Sequence, residues 1–186
     1  MLLLSHRSIL GESAVVILAS RIRDISFSCL MEVYRQSNLE NARRAYSREP
    51  EAVGLRLAEE DFRESLNAFF RASGAVCAVW TEEGRYVSAL RLEPWRDGLL
   101  LTGLETAPEH RGKGYAKKLI RSALEYFPMQ KVYSHVRKDN SSSLHAHQAC
   151  GFEILSDCAR FLDGSADHRA FTLCHTPDFP EENRKL

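Results

Sequence analysis

The chain has 186 residues, of which 44% are hydrophobic and 27% charged, a composition typical of one soluble globular domain. Its 25 Lys and Arg residues balance 25 Asp and Glu residues, so the formal net charge is zero. This balance argues against binding to nucleic acid or membrane surfaces through overall charge.

The five cysteines are scattered through the chain and include no CxxC pair. An odd number at irregular spacing is typical of reduced thiols, so we expect a cytoplasmic protein without a disulfide framework. The apolar N-terminal segment is interrupted by His6, Arg7 and Glu12 and is too short to span a membrane. We therefore interpret residues 1–13 as an N-terminal extension that leads into the first strand.

The first half of the chain predicts one strand followed by two helices. Residues 14–20 are a β-branched run, which is typical of a buried strand. The next segment carries apolar residues at helical spacing from Phe27 to Tyr34, with Asp24 as the predicted N-cap. A second helix is predicted over residues 51–71, where leucine and phenylalanine recur on one face.

The hydrophobic period then changes to that of strands. Three strand-like runs, separated by the turn sequences EEGR and WRDG, predict an antiparallel meander. They lie at about 75–81, 86–92 and 99–107. An amphipathic helix follows over residues 116–127, then a strand (KVYSHV), a short helix capped by Asn140 or Ser141, and a closing pair of strands.

This order of elements predicts a mixed α/β fold in one domain over residues 14–175, with a C-terminal tail over residues 176–186. The stretch RGKGYA, residues 111–116, lies between a predicted strand and the amphipathic helix. A helix that starts at a tight glycine turn offers unpaired N–H groups to an anion, and the flanking cations add positive charge. The alternative is a glycine turn with a solvated basic face.

Two common phosphate-binding motifs do not fit this stretch. A nucleotide P-loop requires G-x-x-x-x-G-K followed by Ser or Thr, and neither the spacing nor the hydroxyl is present. A dinucleotide fingerprint requires a third glycine where Lys117 stands. What does fit is Q/R-x-x-G-x-G/A, and on this motif the sequence resembles the GNAT superfamily of acyl-CoA-dependent N-acyltransferases.

A second block supports the same resemblance. VRKDNSSSLHAHQACGF, residues 136–152, is similar to the superfamily block in which Asn is followed by Ser or Ala, a short helix and Gly-Phe. The order of elements agrees from about residue 14 to 175. The resemblance implies a single-domain, mixed, mostly antiparallel sheet flanked by helices, with splayed fourth and fifth strands.

The resemblance also implies an acetyl-CoA site. In the family, the loop equivalent to residues 111–116 holds the CoA pyrophosphate through backbone N–H groups, and the pantetheine arm lies between the splayed strands. The residues implied to bind the cosubstrate are Leu104, Thr106, Arg111, Gly112, Lys113, Gly114, Tyr115, Ala116, Asn140 and Ser143. The implied partners are acetyl-CoA and an amine acceptor, with no nucleic acid and no membrane, in a monomer or homodimer.

Acetyl transfer to an amine requires a route for the amine's proton and an acid for the leaving thiolate. Many superfamily members carry that acid as a tyrosine seven residues after the Asn of the second block, where this chain has His147. The alternative is a histidine that packs against the cosubstrate or the core. No metal is expected, because His145 and His147 lie about 200° apart on a helix.

Two further residues are candidates for the chemistry. His135, in the KVYSHV strand, relays a proton if its face opens on the acceptor cleft, and is otherwise a hydrogen-bonded core histidine. Glu105 follows a strongly apolar strand and is a base or an anchor for a cationic amine, or else lies close to solvent. Aromatic residues either line the acceptor pocket or pack in the core. They are Trp80, Trp95, Phe69 and Phe70.

The sequence therefore predicts an N-acetyltransferase that moves the acetyl group of acetyl-CoA directly to a primary amine. A small-molecule amine is favoured over a protein amine, because two helices cover the cleft. The alternative is a CoA-binding sensor or interaction module of the same fold without turnover.

Overall fold

The structure is a computed structural model that describes residues 2–7 and 13–177, with side chains from residue 14 onward. The helices in these ranges are α1 (Phe27–Val33), α2 (Arg35–Ala45), α3 (Glu51–Phe69), α4 (Tyr115–Tyr126) and α5 (Ser141–Gln148). The strands are β1 (Leu2–Arg7), β2 (Ser13–Ala19), β3 (Val76–Glu82), β4 (Arg85–Trp95), β5 (Gly98–Thr106), β6 (Lys131–Arg137), β7 (Glu153–Ser156), β8 (Ala159–Arg160), β9 (Ala166–Asp167) and β10 (Ala170–His175).

Eight of these strands form one sheet in the order β1-β2-β3-β4-β5-β6-β10-β7. Only the β5–β6 pair is parallel among the described strands, and α4 makes the crossover between them. β8 and β9 form a separate small hairpin. The mixed, mostly antiparallel α/β sheet predicted from the sequence is confirmed.

The N-terminal residues form an additional strand of the sheet. Residues 2–7, which the sequence pattern places in an extension, form β1 and pair antiparallel with β2, from Leu2 opposite Leu18 to Arg7 opposite Ser13. The pattern does not anticipate this strand. Most of the tail predicted over residues 176–186 lies outside the described residues.

The predicted N-cap of the first helix is wrong. Asp24 ends a short 3₁₀ turn and forms an ion pair with Arg21 at 3.0 Å (Oδ2 to Nε). Ser26 caps α1 instead, because its side chain accepts a hydrogen bond from the Cys29 N–H at 3.4 Å. The Asp24 carboxylate therefore forms its ion pair within the turn before the helix and does not cap the helix.

The predicted single first helix is also wrong, since the chain breaks it at Tyr34. The backbone there (φ −90°, ψ 11°) separates α1 from α2. The Tyr34 hydroxyl donates a hydrogen bond to the Gly103 carbonyl of β5 at 2.5 Å. The helix break at Tyr34 thus coincides with a hydrogen bond to a residue 69 positions away in the sequence. Local helical periodicity does not indicate such a break.

Apolar side chains pack on both faces of the sheet. α4 and α5 cover one face, over a core that includes the fully buried Leu90, Leu119 and Leu173. α1 and α3 cover the other face, where Leu30 and Leu66 are fully buried. The sheet is therefore a central layer between two layers of helices.

β5 and β6 are paired at one end only. Their register runs from Gly98 opposite Lys131 to Leu101 opposite Ser134, and the strands have no pairing beyond that point. They correspond to the fourth and fifth strands of the prediction, because β1 was not anticipated. The predicted splay is confirmed.

The other edge of β5 carries a β-bulge against β4. Ala89 faces Glu105 and Arg91 faces Thr102, so Gly103 and Leu104 together oppose the single residue Leu90. A bulge adds an unpaired residue and bends the strand that carries it. The bulge and the splay therefore occur in the same segment of β5.

Gly98, at the start of the β5–β6 pair, leaves no space for a side chain. A Cβ atom there would overlap the backbone carbonyl of Lys131. We expect Gly98→Ala to lower the free energy of unfolding by about 3 kcal/mol, the upper end for overpacking, measured by urea denaturation. In the control Gly84→Ala, nothing lies within 4 Å and only the positive φ of 78° opposes the change, so we expect about 1 kcal/mol. Equal losses for the two variants would contradict this prediction.

Candidate active site

The loop between β5 and α4 is shaped to receive an anion. Gly112 and Gly114 have φ values of 76° and 81°, and a Cβ on either would meet nothing within 4 Å. The backbone N–H groups of Gly112, Lys113 and Gly114 have no hydrogen-bond acceptor in the part of the chain that the structure describes. Open space, free N–H groups and the positive end of α4 together suit a phosphate-bearing ligand.

Arg111 braces this loop. Its Nε donates to the Thr106 carbonyl at 3.0 Å and its Nη1 donates to Gln36 Oε1 at 2.6 Å. The guanidinium thus joins the end of β5 to α2 as well as carrying positive charge. Lys113 is exposed beside it.

The last residues of β5 differ in how their backbone is used. The Thr106 carbonyl accepts from Arg111, and the Thr106 hydroxyl lies 3.0 Å from the Ser88 hydroxyl. Leu104, in the bulge, has no pairing partner in either neighbouring strand. Of the two strand residues predicted to contact a cosubstrate, Leu104 is therefore the one that lies outside the strand pairing.

A cavity of about 430 Å³ lies between the sheet and the helices α2 and α3. Gly103 and Glu105 line it from β5, and Arg91 lines it from β4. The helices contribute aromatic and polar side chains, including Tyr34 and Phe62. The glycine loop therefore follows the bulge of β5 along the chain, and the pocket lies beside the bulge.

Glu105 is the predicted catalytic residue that lies in this pocket. Burial raises the pKa of its carboxyl group, and a hydrogen bond with Ser37 and the positive charge of Arg111 oppose that rise. A carboxylate with a raised pKa is a stronger base than an exposed one. Glu105 is therefore able to accept a proton from a group bound in the pocket.

Tyr34 lines the pocket. The sequence pattern does not indicate its role there. Its ring lies 4.7 Å from that of Phe62, and its hydroxyl binds the Gly103 carbonyl. Burial raises the pKa of the Tyr34 hydroxyl well above its ordinary value. The hydroxyl therefore remains protonated and holds the bulge by donating its proton.

His147 is fully buried in α5. Its Nδ1 lies 2.8 Å from the Ser143 carbonyl, which only accepts, so Nδ1 carries the proton. Its Nε2 is buried without a hydrogen-bond partner among the described residues, and the ring packs at 5.1 Å from Phe152. Burial lowers the pKa of His147. In this neutral form Nε2 is an acceptor, so the histidine must first gain a proton before it donates one from Nε2.

His147 belongs to a group of three predicted residues in the first turns of α5. Asn140 is the N-cap, and its Oδ1 accepts a hydrogen bond from the Ser143 N–H at 3.0 Å. The Ser143 carbonyl in turn receives His147 Nδ1–H. The Asn140 oxygen is therefore engaged in capping the helix. α5 packs against α4, where the Cys150 thiol donates to the Lys117 carbonyl at 3.6 Å.

His135 lies apart from the pocket. Its ring packs at 5.4 Å from Trp95 and 5.0 Å from Phe161. Burial lowers the pKa of His135, and the charge of Arg96 lowers it further. Its Nε2 is buried and has no hydrogen-bond partner among residues 14–177.

Of the three predicted catalytic residues, Glu105 is among the lining residues of the pocket, and His135 and His147 are not. No hydrogen bond or ring contact joins any two of Glu105, His135 and His147 in the described ranges. The aromatic residues weighed as pocket walls lie elsewhere, since Trp80, Trp95, Phe69 and Phe70 are not among the lining residues. Phe62 from α3 lines the pocket instead.

The pocket also contains an arginine that the sequence analysis misses. Arg91 stands between the buried Leu90 and Leu92 in the run SALRLEPW of β4. A charge in a strand of this kind is costly to bury unless it has a partner. That pattern is the sequence signal that marks the residue.

Two further classes of site find no support in the described residues. No helix there is long and apolar enough to cross a membrane. No cluster of three or more His, Cys, Asp or Glu side chains in residues 14–177 has the arrangement to hold a metal ion. All five cysteines are free thiols.

The sequence model of the acetyltransferase (GNAT) family matches residues 35–152. A spermidine N(1)-acetyltransferase of Vibrio cholerae serotype O1 is 44% identical over 50 residues, which are 25% of this chain and 29% of that protein. A streptothricin acetyltransferase of Streptomyces lavendulae is 29% identical over 118 residues, 61% of each protein. The chain thus spans less than two thirds of the length of both relatives.

Solved structures show the same fold. The PaiA N-acetyltransferase of Thermoplasma acidophilum, in complex with coenzyme A, superimposes with a TM-score of 0.58 at 16% identity. The match covers 87% of this chain and 98% of that chain. At this identity the likeness concerns the architecture of the sheet and helices.

Burial of His147 makes a prediction about stability and pH. An unfolded histidine takes up a proton below about pH 6.5, but the folded state resists this because the pKa of His147 is lowered. The free energy of unfolding should therefore fall as the pH drops below about 6.5, by at most about 1.4 kcal/mol per pH unit for each such histidine.

Urea denaturation of the wild type and His147→Gln, at pH values of about 5.5 and 7.5, measures this effect. We expect a smaller loss of stability at the lower pH in His147→Gln. The matched control is His145→Gln, because His145 is exposed on the same helix. An identical pH dependence in the wild type and His147→Gln would show that His147 titrates alike in both states.

Proposed function

Because the chain belongs to the GNAT acetyltransferase family, we propose that it is an N-acetyltransferase that moves the acetyl group of acetyl-CoA directly to a primary amine of a small molecule. The observation that carries the proposal is the segment from Gly103 to Gly114. It joins a strand end that is unpaired with β6, a glycine loop with free N–H groups and a pocket with a half-buried carboxylate. These are the parts that a two-substrate transfer requires side by side.

The residues present fit acetyl-CoA, which supplies the acetyl group as a thioester when it is bound. The N–H groups of Gly112, Lys113 and Gly114 bind phosphate oxygens, and the absence of a Cβ at both glycines allows that close approach. The unpaired backbone of Leu104 binds the amide arm in the manner of a strand. Tyr115 and Ala116 add the first turn of α4 to this cradle.

Glu105 prepares the acceptor. An alkyl amine with a pKa of about 10.4 is almost wholly protonated at neutral pH and does not attack in that form. Glu105 holds the ammonium group and removes one proton, directly or through a water molecule. The N–C bond then forms as the C–S bond breaks, and the leaving thiolate takes up a proton.

The two candidates for the acid that protonates the thiolate are His147 and His135. His147 occupies the position of the family's tyrosine, and it is neutral with its Nδ1 proton committed to Ser143. His135 lies in a separate cluster with Trp95. Both histidines stay predictions as catalytic groups, and Glu105 is the one of the three predicted residues that lines the pocket.

The choice of a small molecule rests on the pocket and on the relatives. α2 and α3 wall a cavity of about 430 Å³, a volume suited to a small ligand. The named relatives act on spermidine and streptothricin, which are both small molecules. A CoA-binding module without turnover is the second candidate, and the buried, neutral His147 is the observation that favours it.

Release of free CoA thiol tests the proposal. Purified protein with acetyl-CoA and a panel of primary amines should release thiol in an amine-dependent manner. Gly114→Val should abolish CoA binding, because a β-branched side chain would fill the space beside the free N–H groups. The matched control is Gly164→Val, at a glycine with φ 85° and equally open surroundings in the β8–β9 turn. Measurable CoA binding without thiol release for any amine would leave the binding module as the function.

Replacement of Glu105 tests the base. We expect Glu105→Gln to lower kcat/KM by about 100-fold or more while CoA affinity changes little, since general bases contribute at least that factor. Thiol release and equilibrium CoA binding give the two readouts. Glu93→Gln is the matched control, because Glu93 is a half-buried carboxylate of β4 outside the pocket lining. Full activity in Glu105→Gln would exclude the carboxylate as the base.

A further inference from the structure

Arg91 is a half-buried cation that lines the pocket. Its guanidinium makes no hydrogen bond and no ion pair with any residue in the described part of the chain, and its Nε is buried. It packs flat against β5, where a Cβ on Gly103 would lie 2.9 Å from Nε. A guanidinium carries five N–H donors and cannot lose its charge, so this arrangement lacks acceptors.

The aromatic neighbours of Arg91 do not supply hydrogen-bond acceptors. Its guanidinium lies 5.7 Å from the ring centroids of Phe62 and Phe69. Aromatic rings attract a cation through their faces, but they do not replace the oxygen acceptors that a guanidinium fork prefers. The two rings therefore attract the guanidinium charge, but its N–H groups have no acceptor among the described residues.

The other charged groups of the pocket are already engaged. Arg44 donates to Asn41 Oδ1 at 2.7 Å, and Asp61 accepts from the Tyr46 hydroxyl at 2.5 Å. Arg91 is the charged lining residue without such a hydrogen bond among the described residues, and Glu105, which is hydrogen-bonded to Ser37, lines the same cavity. The lining carries two positive and two negative groups rather than a wholly acidic wall.

The two groups line the same cavity, of about 430 Å³. Arg91 covers Gly103 from β4, and Glu105 follows the bulge of β5. The two side chains form no ion pair within 4.0 Å. A small ligand that carries both a carboxylate and an ammonium group would give each of them an opposite charge.

From this pairing we infer that the acceptor is a short amino carboxylate, whose carboxylate binds Arg91 and whose amine lies at Glu105. The inference rests on the proposed function, and it names the acceptor class of that same pocket. Phe62 and Tyr34 offer aromatic surface for an apolar side chain of the acceptor. A polyamine fits less well, because its second ammonium group would meet the unpaired guanidinium.

The test compares each acid with its neutral analogue. The probes are L-phenylalanine, L-leucine and L-methionine, their carboxamides, and spermidine. Calorimetric binding in the presence of CoA and kcat/KM for acetyl transfer are measured separately. We expect every acid to exceed its carboxamide by about tenfold or more in both readouts, the size of a charge-assisted hydrogen bond.

Variants then test whether Arg91 causes the preference for the acids over the carboxamides. Arg91→Gln should reduce the ratio of acid to carboxamide to near one, and Arg91→Lys should retain part of it, since a point charge lacks the guanidinium fork. Arg63→Gln should leave the ratio unchanged. Arg63 is the matched control because its guanidinium covers the Phe27 ring at 3.8 Å and lies outside the pocket lining. Thermal unfolding of each variant verifies that it is folded, and the comparison in the wild type requires no variant.

The outcomes separate this inference from the proposed function. Transfer to spermidine or to the carboxamides with no preference for the acids overturns the inference and leaves the acetyltransferase proposal intact. Tight, Arg91-dependent binding of the acids without transfer sustains Arg91 as the carboxylate site of the pocket, but overturns the proposed activity and with it the acceptor role of the acids. Absence of acid binding, or a ratio that persists in Arg91→Gln, also overturns the inference.

Discussion

The separation of β5 from β6 beyond Leu101 and Ser134 is the constraint on which the rest of the structure depends. Opening a sheet in its interior leaves backbone groups that need new partners. Each partner comes from a different element: the Tyr34 hydroxyl binds the Gly103 carbonyl, and Arg111 binds the Thr106 carbonyl. The helix break at Tyr34 and the bracing of the glycine loop both belong to this opening. Leu104, which has no register partner, is the residue of this strand end that we propose binds the cosubstrate.

The two halves of the candidate site are consequently built from one strand. The glycine loop follows β5 directly along the chain, and the pocket lies over the bulge within it. The bulge is also what allows a glycine, with φ 59°, to lie beneath the Arg91 guanidinium. A regular strand with a side chain at that position would exclude the guanidinium from the wall of the pocket. The same irregularity thus positions the carboxylate, the cation and the open backbone.

The sequence predicts those features that depend on local periodicity or on a short motif. The amphipathic patterns of α3 and α4 and the antiparallel meander were predicted, and the glycine motif identified the loop. The break at Tyr34, the strand β1 and the unpaired state of Arg91 depend on contacts between distant segments, which a periodic pattern does not encode. His147 illustrates the intermediate case. Its position is evident from the spacing to Asn140, but its buried, neutral state follows only from the packing of α5 against Phe152.

Arg111 gives the molecule a mechanical property. One guanidinium holds Gln36 of α2, the helix that walls the pocket, and also the strand end that leads into the glycine loop. The two hydrogen bonds of Arg111 connect these parts directly. Thermodynamic linkage makes any coupling through them reciprocal, so whatever an occupied loop does to affinity in the pocket, an occupied pocket does equally to affinity at the loop. Each of the two substrates would then change the affinity for the other by the same factor.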